Sequence, residues 1–227
     1  MKSTREMQEN KLSDKEINVV LDSMCILHSR LEQKNQHILK FFNENKIENM
    51  DCNLKTGDYG LAVRSNSVFK NDYFVKDLII ERKANLNEFA KNITKKRAQF
   101  VNEMNRAAAS NSKFIVMFER TPVALKCIKC NKLIDIKSIG EKCNCEKDNI
   151  ISLKNDKYIY LFEDFYNEII RSNYNSRINN RSYYATIMSW NHSKQWNNHF
   201  TFVDKDEAGR YIYNTFKYYL RSRLKSL

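Results

Sequence analysis

Apolar positions along the chain fall into two rhythms, short unbroken runs and residues spaced by three or four, which predicts strands interleaved with helices. Ile17-Asn18-Val19-Val20-Leu21-Asp22 reads as a short buried strand ending in a carboxylate. Between residues 32 and 45, Ile38, Leu39, Phe41 and Phe42 predict an amphipathic helix. Residues 52–58 lead into a second strand, 61–69 continue as a hairpin, and 74–83 form the next strand. Leu86, Phe89, Ile93, Phe100 and Met104 then recur at helical spacing and predict one long helix to about residue 108. Phe114-Ile115-Val116-Met117-Phe118 is wholly apolar, as expected in the middle of a covered sheet. Residues 158–162 resume the sheet, 164–170 and 182–190 read as helices, 199–203 as a last strand and 206–224 as a terminal helix. This alternation predicts an α/β core, preceded by a polar, flexible stretch at residues 1–14.

Candidate chemistry sits inside that frame. A Thr56-Gly57-Asp58 turn is followed by Ile79-Ile80-Glu81-Arg82-Lys83 on an apolar strand. Strand side chains alternate faces, so Glu81 and Lys83 project together while Arg82 points the other way. Asp58 and Glu81 supply two carboxylates for a divalent cation, with the Lys83 ammonium beside them, a group suited to a phosphate undergoing hydrolysis. Taken singly, an aspartate after glycine is an ordinary turn residue. Glu81 and Lys83 alone would be a solvated pair contributing about 0–1 kcal/mol. Their joint order is what points to a site.

Length and charge narrow the class. With 227 residues, 42% of them hydrophobic, the chain buries one good core with room for a small appended module. There is no apolar run of about 18 residues and no apolar signal segment at the N-terminus. The expectation is therefore a soluble cytoplasmic protein, not a membrane protein. Lys and Arg number 39 against 27 Asp and Glu, a formal net charge of +12. That excess favours a polyanion, although a Lys- and Asn-rich coding bias produces the same balance. Lys91, Lys95, Lys96 and Arg97 lie off the apolar stripe of the long helix and form either a DNA contact or a solvated face. Trp190 and Trp196 stack on bases or pack in the core, and His37, His192 and His199 have no metal-ligand spacing.

Four of the six cysteines fall close together as Cys127-Ile-Lys-Cys130 and Cys143-Asn-Cys145. In a reducing compartment two near thiolate pairs suit tetrahedral zinc better than disulfides, and four thiolates leave no open position, so such a metal is structural. Unligated thiols or a redox pair remain open. Cys25 and Cys52 stand alone.

A strand ending in Asp22, a helix, Gly57-Asp58, a hairpin, Glu81-Arg82-Lys83 and a basic helix, in that order, resemble the XPF-type structure-specific nuclease domain of the PD-(D/E)XK superfamily. The resemblance covers roughly residues 17–118 and 158–224. Its second part, Ser182-Tyr183-Tyr184-Ala185 through Gly209-Arg210-Tyr211-Ile212-Tyr213, is similar to short members of phages and mobile elements. It implies an α/β fold, a restriction-endonuclease-like mixed sheet flanked by helices. Residues 15–120 and 158–227 would form the nuclease domain around an inserted zinc-ribbon-like module at 121–157. By the same resemblance Asp58 and Glu81 hold Mg2+ or Mn2+, with Asp22 or Glu32 completing the shell. Lys83 orients water or steadies developing charge, and Arg82 supports the site or contacts phosphate. Asn87 departs from the pattern, because the family carries aspartate four residues after the motif lysine; asparagine there can cap a helix but cannot replace the charge. The implied function is a metal-dependent endonuclease acting on branched, flapped or otherwise structured DNA. Relatives pair, so a homodimer is implied as well, with Tyr211, Tyr213, Phe216 and Tyr219 as aromatics beyond one core's needs. Two other readings stay open: a nucleic-acid-binding protein without catalysis, and a zinc-ribbon adaptor for a protein partner.

Overall fold

The computed structural model describes residues 12–29, 35–120, 125–126, 133–134 and 180–226. The inserted-module reading rests on Cys127, Cys130, Cys143 and Cys145, which lie outside the described residues, as do Glu32 and the elements expected at 158–170.

The first element corrects the sequence reading. Residues Asp14–Asp22 form helix α1, not a strand. Ile17, Val20 and Leu21 all fall on its buried side at helical spacing. Ser13 closes the N-terminus in a capping box: its hydroxyl accepts from the Glu16 N–H, and the Glu16 carboxylate accepts from the Ser13 N–H. The first strand is instead β1, Met24–Ser29, buried along five successive residues. Helix α2 (Gln36–Glu44), strands β2 (Asn49–Cys52) and β3 (Tyr59–Val63), and the long strand β4 (Tyr73–Lys83) follow.

The single long helix expected after β4 is two, α3 (Leu86–Ile93) and α4 (Arg97–Ala109). The break falls at Thr94, whose hydroxyl bonds back to the Ala90 carbonyl at 2.6 Å, while the Lys96 N–H reaches the Lys91 carbonyl. A threonine hydroxyl competing for a helical carbonyl bends or ends the ladder, and the all-polar run Thr94 to Arg97 has no apolar side chain to hold it straight. Strand β5 (Lys113–Arg120), two two-residue strands β6 (Leu125–Lys126) and β7 (Leu133–Ile134), helix α5 (Asn180–Asn191), strand β8 (Asn198–Asp204), a 3-10 turn (Lys205–Glu207) and helix α6 (Ala208–Lys225) complete the described elements.

Six strands form a mixed sheet in the order β2-β1-β3-β4-β5-β8. All neighbours pair parallel except β3, which runs against both β1 and β4. Each face has its own core. Helices α1, α2 and α6 bury Ile17, Phe42, Ile212 and Phe216 against Ile26, Leu78 and Ile80 on one side. Gly209 allows the close approach there, because a Cβ at that position would lie 2.8 Å from the Phe41 side chain. On the other side α3, α4 and α5 bury Phe89, Phe100, Ile187 and Trp190 against Phe114, Val116 and Phe118. Trp190 is thus a core residue, and Trp196 is tied by its Nε1 to the Asn105 side chain at 2.8 Å. The aromatics that suggested a dimer are also used within the chain: Phe216 is fully buried, and Tyr211, Tyr213 and Tyr219 pack against the first core. Among the described residues no helix is long and apolar enough to cross a membrane.

Candidate active site

In open α/β sheets ligands bind beyond the carboxyl ends of the strands, and the motif residues gather at that end of β4. The register between β3 and β4 shifts between Tyr59 and Leu61, leaving extra residues on β4 just before the motif. Such irregularities re-aim side chains beside functional sites. Beyond it the alternation is regular. Leu78 and Ile80 join the α1/α2/α6 core, Ile79 the other, so Glu81 and Lys83 project together toward α3 and α4.

Glu81 and Lys83 are each 6% exposed, and the Lys83 Nζ donates to Glu81 Oε1 at 2.5 Å. A buried ion pair is weak evidence of stabilisation, because desolvation offsets most of the attraction; in a strand end it is better evidence of function. Burial by itself would push the Lys83 ammonium down, but Glu81 reverses this and, with Asp58 and Glu88, holds it above the ordinary lysine value. The Lys83 ammonium also lies over the Phe100 ring of α4, 5.5 Å from its centre.

Asp58 is fixed by the backbone. Its N–H donates to the Ile80 carbonyl and its carbonyl accepts from the Ser29 N–H, both at 2.9 Å, so it ties the ends of β1 and β4 together. Its Oδ2 accepts from the Arg82 N–H at 2.9 Å. Gly57 makes the turn possible: its φ is +72°, and a Cβ would lie 2.2 Å from Ile79 Cγ2. Thr56, next in the turn, accepts from Arg106 Nε of α4 at 3.2 Å.

Arg82 does not belong to this face. Its guanidinium crosses to the α2 side, where Nε and a terminal nitrogen donate to the two oxygens of Glu119 at 2.7 and 2.5 Å. Glu119 is buried, and its Oε1 also meets His37 Nε2 at 2.8 Å. The side chain read as catalytic or phosphate-binding is therefore engaged by Glu119 on the opposite side of the sheet, while its backbone N–H bonds Asp58. Asp22 is corrected as well. It ends α1, exposed, before the first residue of β1. Asp58 stands at the far end of that strand, and six residues of strand span roughly 20 Å.

Glu103 is the group sequence reasoning passed over. It lies on α4 three residues after Phe100 and three before Arg106, so it faces the same way as both. Burial first, then the Glu81 charge, raise its carboxyl above the ordinary glutamate value, while Lys83 and Arg106 oppose the rise. The only sequence signal was this spacing across a helix whose place over β4 was not yet known. Nor is Asn87 the helix cap: the Asn85 side chain takes the Glu88 N–H at 2.9 Å, and the Glu88 carboxylate takes the Ala84 N–H at 2.8 Å.

Lys91, Lys95, Lys96 and Arg97 are exposed where α3 turns into α4. Arg97 lies over the Trp190 ring at 5.1 Å, about one helical turn before Phe100. Among the described residues, no group of three or more His, Cys, Asp or Glu side chains is placed to hold a metal ion. Asp58 and Glu81 are hard oxygen donors with no thiol or imidazole between them. That donor set fits magnesium or manganese, which commonly take one or two carboxylates and complete their shells with water and phosphate.

No protein-family model matches the chain, and no curated protein does. Among solved structures, it is similar to "XPF from Aeropyrum pernix", with 14% identity and a TM-score of 0.46. The match covers 89% of this chain and 62% of that one. It is similar also to "XPF from Aeropyrum pernix, complex with DNA", with 14% identity, a TM-score of 0.47, and coverage of 88% and 65%. The chain thus spans less than two thirds of either structure.

Proposed function

We propose that the protein is a divalent-metal-dependent DNA endonuclease. The observation that carries this reading is the convergence of Asp58, Glu81 and Lys83 at the carboxyl end of β4, one carboxylate accepting from the Arg82 backbone N–H and the other buried against an ammonium. Asp58 and Glu81 would hold the cation, which when bound supplies charge neutralisation at phosphorus and an activated water. Lys83 brings a positive charge to an oxygen of the scissile phosphate and steadies charge developing there. The exposed side chains of Lys91, Lys95, Lys96 and Arg97, where α3 passes into α4, would hold neighbouring phosphates. A branched or flapped substrate rests on the family resemblance of the motifs. The proposal that Cys127, Cys130, Cys143 and Cys145 bind a structural zinc rests on the spacing of the two cysteine pairs, and metal analysis of the purified chain tests it directly.

The experiment is cleavage of flapped and branched DNA with magnesium or manganese. Asp58→Asn and Lys83→Ala should each reduce the rate by at least about a hundredfold. Cleavage that persists unchanged in both variants would sink the assignment. A second reading, binding without cleavage, is favoured by one observation, the asparagine at position 87 where the resemblance implies a carboxylate. Salt-sensitive binding with no cleavage in any metal would establish it instead.

A further inference from the structure

Lys83 and Glu81 are bound to one another at 2.5 Å, with only 7% of each side chain exposed. Glu81 cannot turn fully to a divalent cation while that ammonium holds it, because the two positive charges compete for the same oxygens. Nor can Lys83 simply let go, since a buried ammonium without a partner is strongly disfavoured. Asp58 and Glu88 also act on Lys83, but Asp58 would itself be taken by the cation and the Glu88 carboxylate is held at the Ala84 N–H, so the site needs a further carboxylate within reach of the lysine.

Helix α4 supplies one. Phe100 already underlies the Lys83 ammonium, and nearly two turns further along, Arg106 is anchored to Thr56 in the turn that carries Asp58. Between these two fixed points, on the same helical face, stands Glu103, with 22% of its side chain exposed. Its partner in this structure is Arg106 at 3.8 Å, a loose contact that leaves most of its acceptor capacity free for an ammonium. We propose that Glu103 is the alternate partner of Lys83, a positioning residue that receives the ammonium when Glu81 turns to a divalent cation; this rests on the nuclease reading above. The lysine stem carries four flexible carbons, so the exchange needs side-chain rotation only. With Lys83 drawn toward α4, Glu81 is released and the ammonium stays beside the phosphate position.

The test is a binding cycle with Mn2+, read by titration calorimetry or electron paramagnetic resonance, with circular dichroism confirming the fold. It uses the unaltered chain, Glu103→Gln, Lys83→Gln and the double variant. Lys83→Gln retains a donor toward Glu81 while removing the charge. Glu103→Gln should weaken Mn2+ binding about tenfold or more, the size found for groups that orient a metal's ligands. In the Lys83→Gln background the same change should cost less than about twofold, because no ammonium then needs a second partner. Glu103→Asp, which keeps the charge, should recover most of the affinity. An equal loss in both backgrounds, or no loss in the unaltered one, overturns the assignment of Glu103 alone. Absence of Mn2+ binding in the unaltered chain, or binding indifferent to Asp58→Asn, overturns the metal reading and the Glu103 role with it.

Discussion

Replacing Arg82 by methionine distinguishes a supporting role for this residue from a chemical one. Its guanidinium makes two bonds to Glu119, at 2.7 and 2.5 Å, and the two side chains are 10% and 2% exposed. Arg82→Met leaves Glu119 buried with His37 as its remaining ring-nitrogen neighbour. Removing one partner of a buried pair costs about 3–5 kcal/mol, because the other charge stays uncompensated. At a urea slope of about 2 kcal/mol per molar, a loss of about 4 kcal/mol lowers the unfolding midpoint by about 2 M. The double variant Arg82→Met/Glu119→Leu removes the stranded charge too. Replacing a whole buried pair by apolar groups of similar volume is near neutral, so most of the midpoint should return. The Arg82 N–H to Asp58 survives both changes, so the double variant should cleave DNA within about tenfold of the unaltered protein wherever both are folded. Two results would refute this reasoning. One is an Arg82→Met midpoint that does not move. The other is a double variant that regains stability while cleavage stays abolished, which would return the guanidinium to the substrate.

Gly57→Ala should lower the melting temperature by several degrees, through about 1–2 kcal/mol for a left-handed residue and about 1–3 kcal/mol for the clash with Ile79; an unchanged melt would contradict the turn geometry. Burial and Glu81 raise the Glu103 carboxyl, so the folded protein loses stability as pH climbs from the ordinary value of 4.5 through the raised one. Glu103→Gln should accordingly be the more stable protein at about pH 7, with the two urea midpoints converging below about pH 4. A deficit at neutral pH would show the sign to be wrong. Lys95→Ala and Lys96→Ala should each weaken DNA binding irrespective of sequence and reduce the slope of log affinity against log salt by about one, as measured by fluorescence anisotropy. An unaltered slope would make that turn a solvated surface.

Much of the candidate site was legible before folding because it depends on local geometry. Side chains on a strand alternate, so once residues 74–83 read as a strand, Glu81 and Lys83 had to share a face and Arg82 had to leave it. The first strand was misplaced because Ile17, Val19, Val20 and Leu21 look like an apolar run when read by content. Their buried members, Ile17, Val20 and Leu21, follow a helical period behind a Ser13 to Glu16 capping signal. The helix break at Thr94 was hidden for a different reason. Ile93 and Phe100 fit a continuous stripe, and only the hydroxyl bond to Ala90 reveals the interruption.

Composition and periodicity by themselves determined an α/β chain with an excess of basic residues and a Glu81 and Lys83 pair on one face of a strand, since each follows from residue type or from spacing within one element; Asp58 was marked only by its order in the motif. The tertiary structure alone decided the rest. It carried the Arg82 side chain to Glu119, 37 residues away, joined Glu119 to His37 across 82, and docked Arg106 on Thr56 across 50. It also left Asp22 at the opposite end of β1 and brought Glu103 toward Lys83. Such pairings depend on which helix crosses which strand and at what height, and no period within a single element encodes that. For the same reason Lys83 was visible in the sequence, but the carboxylate on α4 that stands within its field was not.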